Sequence, residues 1–159
     1  MKTSFLFPNK FKTLGWIVFI PAFASAVLIP LLNISTDNYL KIKVFAICND
    51  ELLNHSSYFS IIENSIVDEL LLFALIIGGI LIGFSKLKTE DELTSKIRYE
   101  SLVWATYLNY GLILIFTAFI YGMSYLNVLF YNTFTLLLFF IIRFHYSIYK
   151  LNKSTNDDE

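Results

Sequence analysis

Leu102–Gly122 reads LVWATYLNYGLILIFTAFIYG, and Leu126–Ile142 follows almost at once as LNVLFYNTFTLLLFFII. Neither stretch holds a charged residue. Each comes close to the ~20 apolar residues that cross ~30 Å of hydrocarbon at ~1.5 Å per residue. Two more such runs lie upstream, Leu14–Leu32 and Leu70–Phe84. The shorter of them extends through Ile66 and Val67 if Asp68 and Glu69 sit at headgroup level, where a carboxylate stays hydrated. The fold class predicted is therefore an all-α integral membrane protein with four transmembrane helices. The spans run at 14–32, 66–85, 101–122 and 126–147 in one transmembrane domain over residues 1–159.

Composition agrees. Of 159 residues, 56% are hydrophobic and 16% charged, which is too apolar for a soluble domain of this size. The net charge of −1 hides a segregation. Lys2, Lys10 and Lys12 precede the first run, Lys86, Lys88, Lys96 and Arg98 separate the second from the third, and Arg143, Lys150 and Lys153 close the fourth. Only Lys41 and Lys43 fall between the first and second runs, among Asp37, Asp50, Glu51, Glu63, Asp68 and Glu69. Cytoplasmic loops of membrane proteins carry the lysine and arginine excess, so both termini are predicted to be cytoplasmic. The opening residues, with Phe5, Phe7 and Phe11 beside Pro8 and Lys10, read as an interfacial anchor that touches anionic lipid. Cleavage after Ala24 or Ala26 is the rival reading, but apolar residues continue to Leu32, which favours an uncleaved anchor. Pro21 predicts a kink in this first helix and Pro30 its end.

Residues 33–65 form the external connection. Leu40-Lys41-Ile42-Lys43-Val44 alternates with period two into Phe45-Ala46-Ile47, and Tyr58–Ile62 is a second β-like run. They predict a small extracytoplasmic cap of two short strands, separated by a more helical Asp50–His55. Cys48 is the only cysteine, which excludes an intramolecular disulfide. Glu51 and His55 have a spacing compatible with metal, but no second histidine or cysteine pair joins them. No metal, cofactor or catalytic residue is assigned.

The cytoplasmic connection, 86–100, carries Thr89-Glu90-Asp91-Glu92, a capping box with Thr89 as N-cap. A helix from Thr89 is predicted to run unbroken into the third span, with Glu92 and Lys96 paired one turn apart. Glu90, Glu92 and Lys96 are the candidate contacts for a cytoplasmic protein partner, against the plainer reading of a solvated charged face. Gly122 should close the third helix, with Ser124 or Asn127 capping the fourth. The two must be antiparallel neighbours, and depth counting places Thr117 level with Asn132.

Within the spans, Ala74 and Gly78, then Gly79 and Gly83, stand four apart, the spacing that lets backbones approach, either within the chain or in a homodimer. Trp104, Tyr107, Gly111, Leu114, Ala118 and Tyr121 form a stripe on the third span, with Asn109 near its middle. Interhelical hydrogen bonding by Asn109, Thr117 and Asn132 is the favoured reading, and a ligand cavity the alternative. Arg143 is read as snorkelling to the interface, with contact of Arg143 and His145 to lipid phosphate or Glu100 as the rival. No ionisable residue lies deep within a span, as ion-coupled carriers usually require. Paired cysteines, His-Glu-x-x-His and a glycine-rich phosphate loop are missing from the sequence.

Asp68-Glu69-Leu70, Phe84-Ser85-Lys86, Glu90-Asp91-Glu92, Glu100-Ser101-Leu102, Tyr131–Thr135 and Ile142-Arg143-Phe144 resemble a group of small four-helix membrane proteins of Bacteroidetes-type bacteria. The resemblance implies a bacterial inner membrane, and so makes the sequons at Asn33 and Asn54 irrelevant to glycosylation. It implies no functional residue. The expected function is a non-enzymatic accessory or signalling module with the lipid bilayer as its solvent and no nucleic acid partner. A small-molecule transporter acting as an oligomer is the alternative.

Overall fold

The computed structural model describes residues 5–36, 39–49, 57–88 and 90–157. Along them run α1 (Lys10–Leu31), β1 (Lys41–Asn49), β2 (Ser57–Ser65), α2 (Val67–Gly83), α3 (Glu92–Phe119) and α4 (Met123–Asp157). The protein is thus mostly helical with one two-stranded antiparallel sheet. Helices α1, α3 and α4 are long and apolar enough to cross a membrane. Helix α2 has 17 residues, starting and stopping short of the predicted 66–85, and spans about 25 Å at ~1.5 Å per residue. Its end has a cause: Ser85 leaves the helix to form a parallel bridge with Phe7. Two compact bodies result, Met1–Ile20 with Leu75–Glu159, and Pro21–Ala74.

In the first body, α1 and α2 meet backbone to backbone. A methyl group on Gly78 would lie 3.0 Å from the Phe19 amide nitrogen, and one on Gly15 3.0 Å from the Gly78 carbonyl oxygen. Gly83 makes room for Phe140 of α4, whose ring would lie 2.5 Å from an added methyl. Gly79 has ordinary contact distances to Leu137 and Phe19. Three of the four small residues singled out in α2 therefore face other helices of their own chain; Ala74 is half-buried in the second body. The apolar centre is Ala105, Phe140 and Phe144, with Phe84, Ile97 and Leu102 packed around it. Phe140 stacks on Phe144 at 6.0 Å between centroids and meets Phe84 at 5.3 Å.

The α3–α4 connection is tighter than predicted. Helix α3 ends at Phe119, Gly122 takes the left-handed conformation (φ 69°), and α4 starts at Met123. Ser124 and Asn127 lie inside α4 and do not cap it. Pairing across the two helices follows the turn: Asn109 meets Asn132, and Thr117 meets Tyr125 at 2.8 Å. In an antiparallel hairpin, partners lie equally far from the turn on either side. Thr117 is about four residues before it and Asn132 about ten after, so the predicted level was miscounted.

In the second body, α1 passes Pro21 without ending and stops one residue after Pro30. Ile34 N–H bonds to Ile29 O at 3.1 Å and Asn33 N–H to Pro30 O at 3.2 Å. With Asn33 at φ 50°, this is a Schellman closure built on asparagine in place of glycine. The predicted two strands are present and longer than expected, in register Lys43↔Glu63, Val44↔Ile62 and Cys48↔Tyr58. The segment Asp50–His55 lies outside the described residues. An isolated hairpin is marginal, and side chains tie this one down. Ser65 Oγ donates to the carbonyls of Thr36 and Tyr39, Thr36 donates to Asp68, and Asn64 donates to Glu69. Asp68 and Glu69 thereby complement the first turn of α2 while holding the strands.

Glycine contacts supply a test. Gly78→Ala should cost about 1–3 kcal/mol, because the added methyl meets backbone that cannot rotate away. Gly111→Ala, where nothing lies within 4 Å, should be neutral or gain up to about 1 kcal/mol from helix propensity. Unfolding by denaturing detergent compares the two; equal losses would show that the α1–α2 approach is not close.

Candidate functional site

Helix α3 starts at Glu92 because Asp91 caps it: its carboxylate accepts the Thr94 N–H at 2.7 Å. Those Thr94 bonds hold the Asp91 carboxyl below its ordinary pKa. The cap is therefore intact at neutral pH and is lost only as pH falls below the aspartate range. Thr89, the predicted N-cap, lies outside the described residues. Two turns into the helix, Arg98 is turned inward and only 8% exposed.

The guanidinium of Arg98 gathers four parts of the chain. Nη1 donates to Gly83 O at 2.7 Å and Ser85 O at 3.1 Å, and Nη2 to both Glu90 carboxylate oxygens at 2.9 and 3.1 Å. Its central carbon stands 4.6 Å from the centre of the Phe144 ring. Glu90 also accepts the Leu87 N–H at 2.9 Å. The last carbonyls of a helix lack intrahelical donors and carry partial negative charge, so a cation there is favoured twice. The N-terminal segment completes the arrangement. Phe7 N–H donates to Phe84 O and Lys86 N–H to Phe7 O, each at 2.9 Å, and the Asn9 amide donates to Lys86 O at 2.7 Å. Arg98 Nε is buried without a partner among the described residues.

Glu90, a candidate partner contact, is thus committed to Arg98. Glu92 and Lys96 are exposed, and Lys96 pairs loosely with Glu100 at 3.9 Å. The predicted Glu92–Lys96 pair is replaced by the pair one turn on. Arg143 stacks on Trp104 at 4.6 Å, with a buried Nε that has no partner among the described residues. The His145 ring nitrogen Nδ1 is 2.9 Å from Ile141 O, and the ring packs edge-on against Trp16. Among the described residues no three His, Cys, Asp or Glu side chains gather as a metal would require. Glu51 and His55 lie outside them.

Of the buried face of α3, sequence reasoning named only Asn109. That face is Thr94, Arg98, Ser101, Ala105 and Asn109, at spacings of four, three, four and four. The stripe chosen from the sequence points the other way: Tyr107 is 77% and Leu114 72% exposed. Asn109, 3% exposed, exchanges its carboxamide with Asn132 of α4 at 3.1 and 3.5 Å. The overlooked signal was the regular recurrence of small and polar residues, the type that membrane helices place against one another.

Comparison with protein-family models, with curated proteins and with solved structures finds no match for this chain.

Removing one partner of a buried ion pair strands the other's charge, so Arg98→Met should cost about 3–5 kcal/mol. Arg98→Met with Glu90→Leu should recover much of that, since no buried charge remains unmatched. Melting of the purified protein in mild detergent reads both. A double variant as unstable as the single would mean that Arg98 acts through the α2 carbonyls alone.

Proposed function

We propose that the chain is a multi-pass protein of a bacterial inner membrane, crossed by all four helices with both termini in the cytoplasm, and that it serves as a non-enzymatic accessory or signalling module. The observation that carries this reading is the inverted polarity of α3 within its apolar run, which buries Ser101 and Asn109 while exposing Leu114, Ile115 and Phe119. In water that arrangement is unfavourable on both counts. In hydrocarbon it is the favourable one, because polar groups find partners inside and lipid receives the apolar surface. Helix α2 crosses as the fourth span with modest thinning of the bilayer or a hydrated start at Asp68 and Glu69.

Orientation follows from the ten basic residues on one side against two on the other, and the bacterial inner membrane from the resemblance noted above. A partner would meet the exposed charged face of α3's first turns, Glu92, Lys96 and Glu100, with Glu90 held back by Arg98. Rigid continuity from this face into the span lets a contact there tilt or turn α3. The close fits at Gly78 and Gly83 favour packing within one chain over a homodimer through the same residues. Transport has less support, since Asn109 is occupied by Asn132 and the tyrosine stripe lies on the outer surface.

Reporter fusions test orientation: one at Glu159 should report cytoplasm and one between β1 and β2 the opposite side. Single cysteines at Tyr107, Gly111 and Leu114, with Cys48 replaced, test the function class. Lipid-facing positions should resist a membrane-impermeant thiol reagent. Rapid labelling at all three depths would overturn the accessory reading in favour of a water-filled path between copies.

A further inference from the structure

A cavity of about 470 Å³ lies beside the Arg98 cluster, between the first turn of α1, the start of α3 and the last turns of α4. Its wall is divided. Lys12, Lys88 and Asn152 supply donors, and Ile148 and Leu151 supply apolar surface. Asp91 also lines it, but that carboxylate is engaged by the Thr94 amide. Lys12 is half-buried, and among the described residues neither lysine has an ion-pair partner. Arg98, the nearby cation, is already matched by Glu90. Two lysines against one aspartate leave the cavity one positive charge in excess.

We propose that this cavity binds the phosphodiester of an anionic phospholipid, with Lys12 and Lys88 on the phosphate oxygens and Ile148 and Leu151 against the start of the acyl chains. The inference rests on the membrane reading above. Lys12 stands two residues before the apolar run that begins at Leu14, which puts the cavity at headgroup level. One phosphodiester carries one negative charge and cancels the excess. A zwitterionic headgroup brings its own ammonium and leaves the excess in place. Basic pockets between helices on the cytoplasmic side are where anionic headgroups are held.

The full chain, extracted from membranes in mild detergent, is titrated with short-chain phosphatidylglycerol, short-chain phosphatidylcholine and inorganic phosphate, with native mass spectrometry and melting temperature as readouts. Phosphatidylglycerol should bind roughly thirtyfold more tightly than phosphatidylcholine. Lys12→Gln with Lys88→Gln should abolish that preference. Lys12→Arg with Lys88→Arg, and Lys150→Gln outside the cavity, should retain it, which separates lost binding from lost folding. Equal binding of the two lipids, or full preference in the double glutamine variant, overturns the proposal. So does inorganic phosphate that stabilises as well as phosphatidylglycerol, which would make this a site for a soluble anion. A chain that sediments with membranes and passes the fusion test yet shows no lipid preference lacks the site alone; a chain recovered in the soluble fraction loses the membrane reading as well.

Discussion

One guanidinium sets the terms for the helical body. Arg98 meets the buried carbonyls at the end of α2, the Glu90 carboxylate and the face of Phe144 at once. A buried cation is costly unless every neighbour answers it, and here the answers come from groups with the same problem in reverse. Helix α2 ends where its last carbonyl meets this donor and Ser85 turns away to bridge Phe7. The N-terminal segment then bridges Ser85 and adds its own backbone bonds to Phe84 and Lys86. Remove the cation and the end of α2, the placement of Glu90 and the seat of Phe144 lose their common cause.

The same logic explains why α3 is inverted relative to a soluble helix. Beyond the exposed charges of its first turns, the polar residues on its buried face each have a use inside: Thr94 at the cap, Arg98 at the cluster, Asn109 on Asn132. The carboxamide pair also fixes how α3 and α4 slide past each other, because a shift by one turn would leave two amides unmatched in an apolar setting. Apolar packing alone tolerates such slippage far better.

Helix content, the long third helix, the left-handed glycine at the α3–α4 turn and the two strands were all legible, since each follows from period, length or a turn residue. Arg98 was not. In a linear reading it stands among Lys86, Lys88 and Lys96 and looks like another charge that enforces orientation. Its partners, Gly83, Ser85, Glu90 and Phe144, are brought to it only by tertiary packing. The buried face of α3 was misread for a related reason: large aromatics catch the eye at helical spacing, whereas the residues it buries are mostly small or polar. Glu90 failed differently, since a carboxylate in a capping sequence gives no sign that a cation two turns on will claim it.

The backbone contact of Gly15 and Gly78 bears on the order of assembly during synthesis. It joins α1 and α2, both of which leave the ribosome before α3 exists. Phe140 and Phe144 come from α4, which is made after α3. Until they arrive, Arg98 has its carboxylate and carbonyls but no aromatic ceiling, and Gly83 faces a gap. Closing the site around Arg98 therefore waits on α4, since Phe144 covers the guanidinium and Phe140 fills the space that Gly83 leaves.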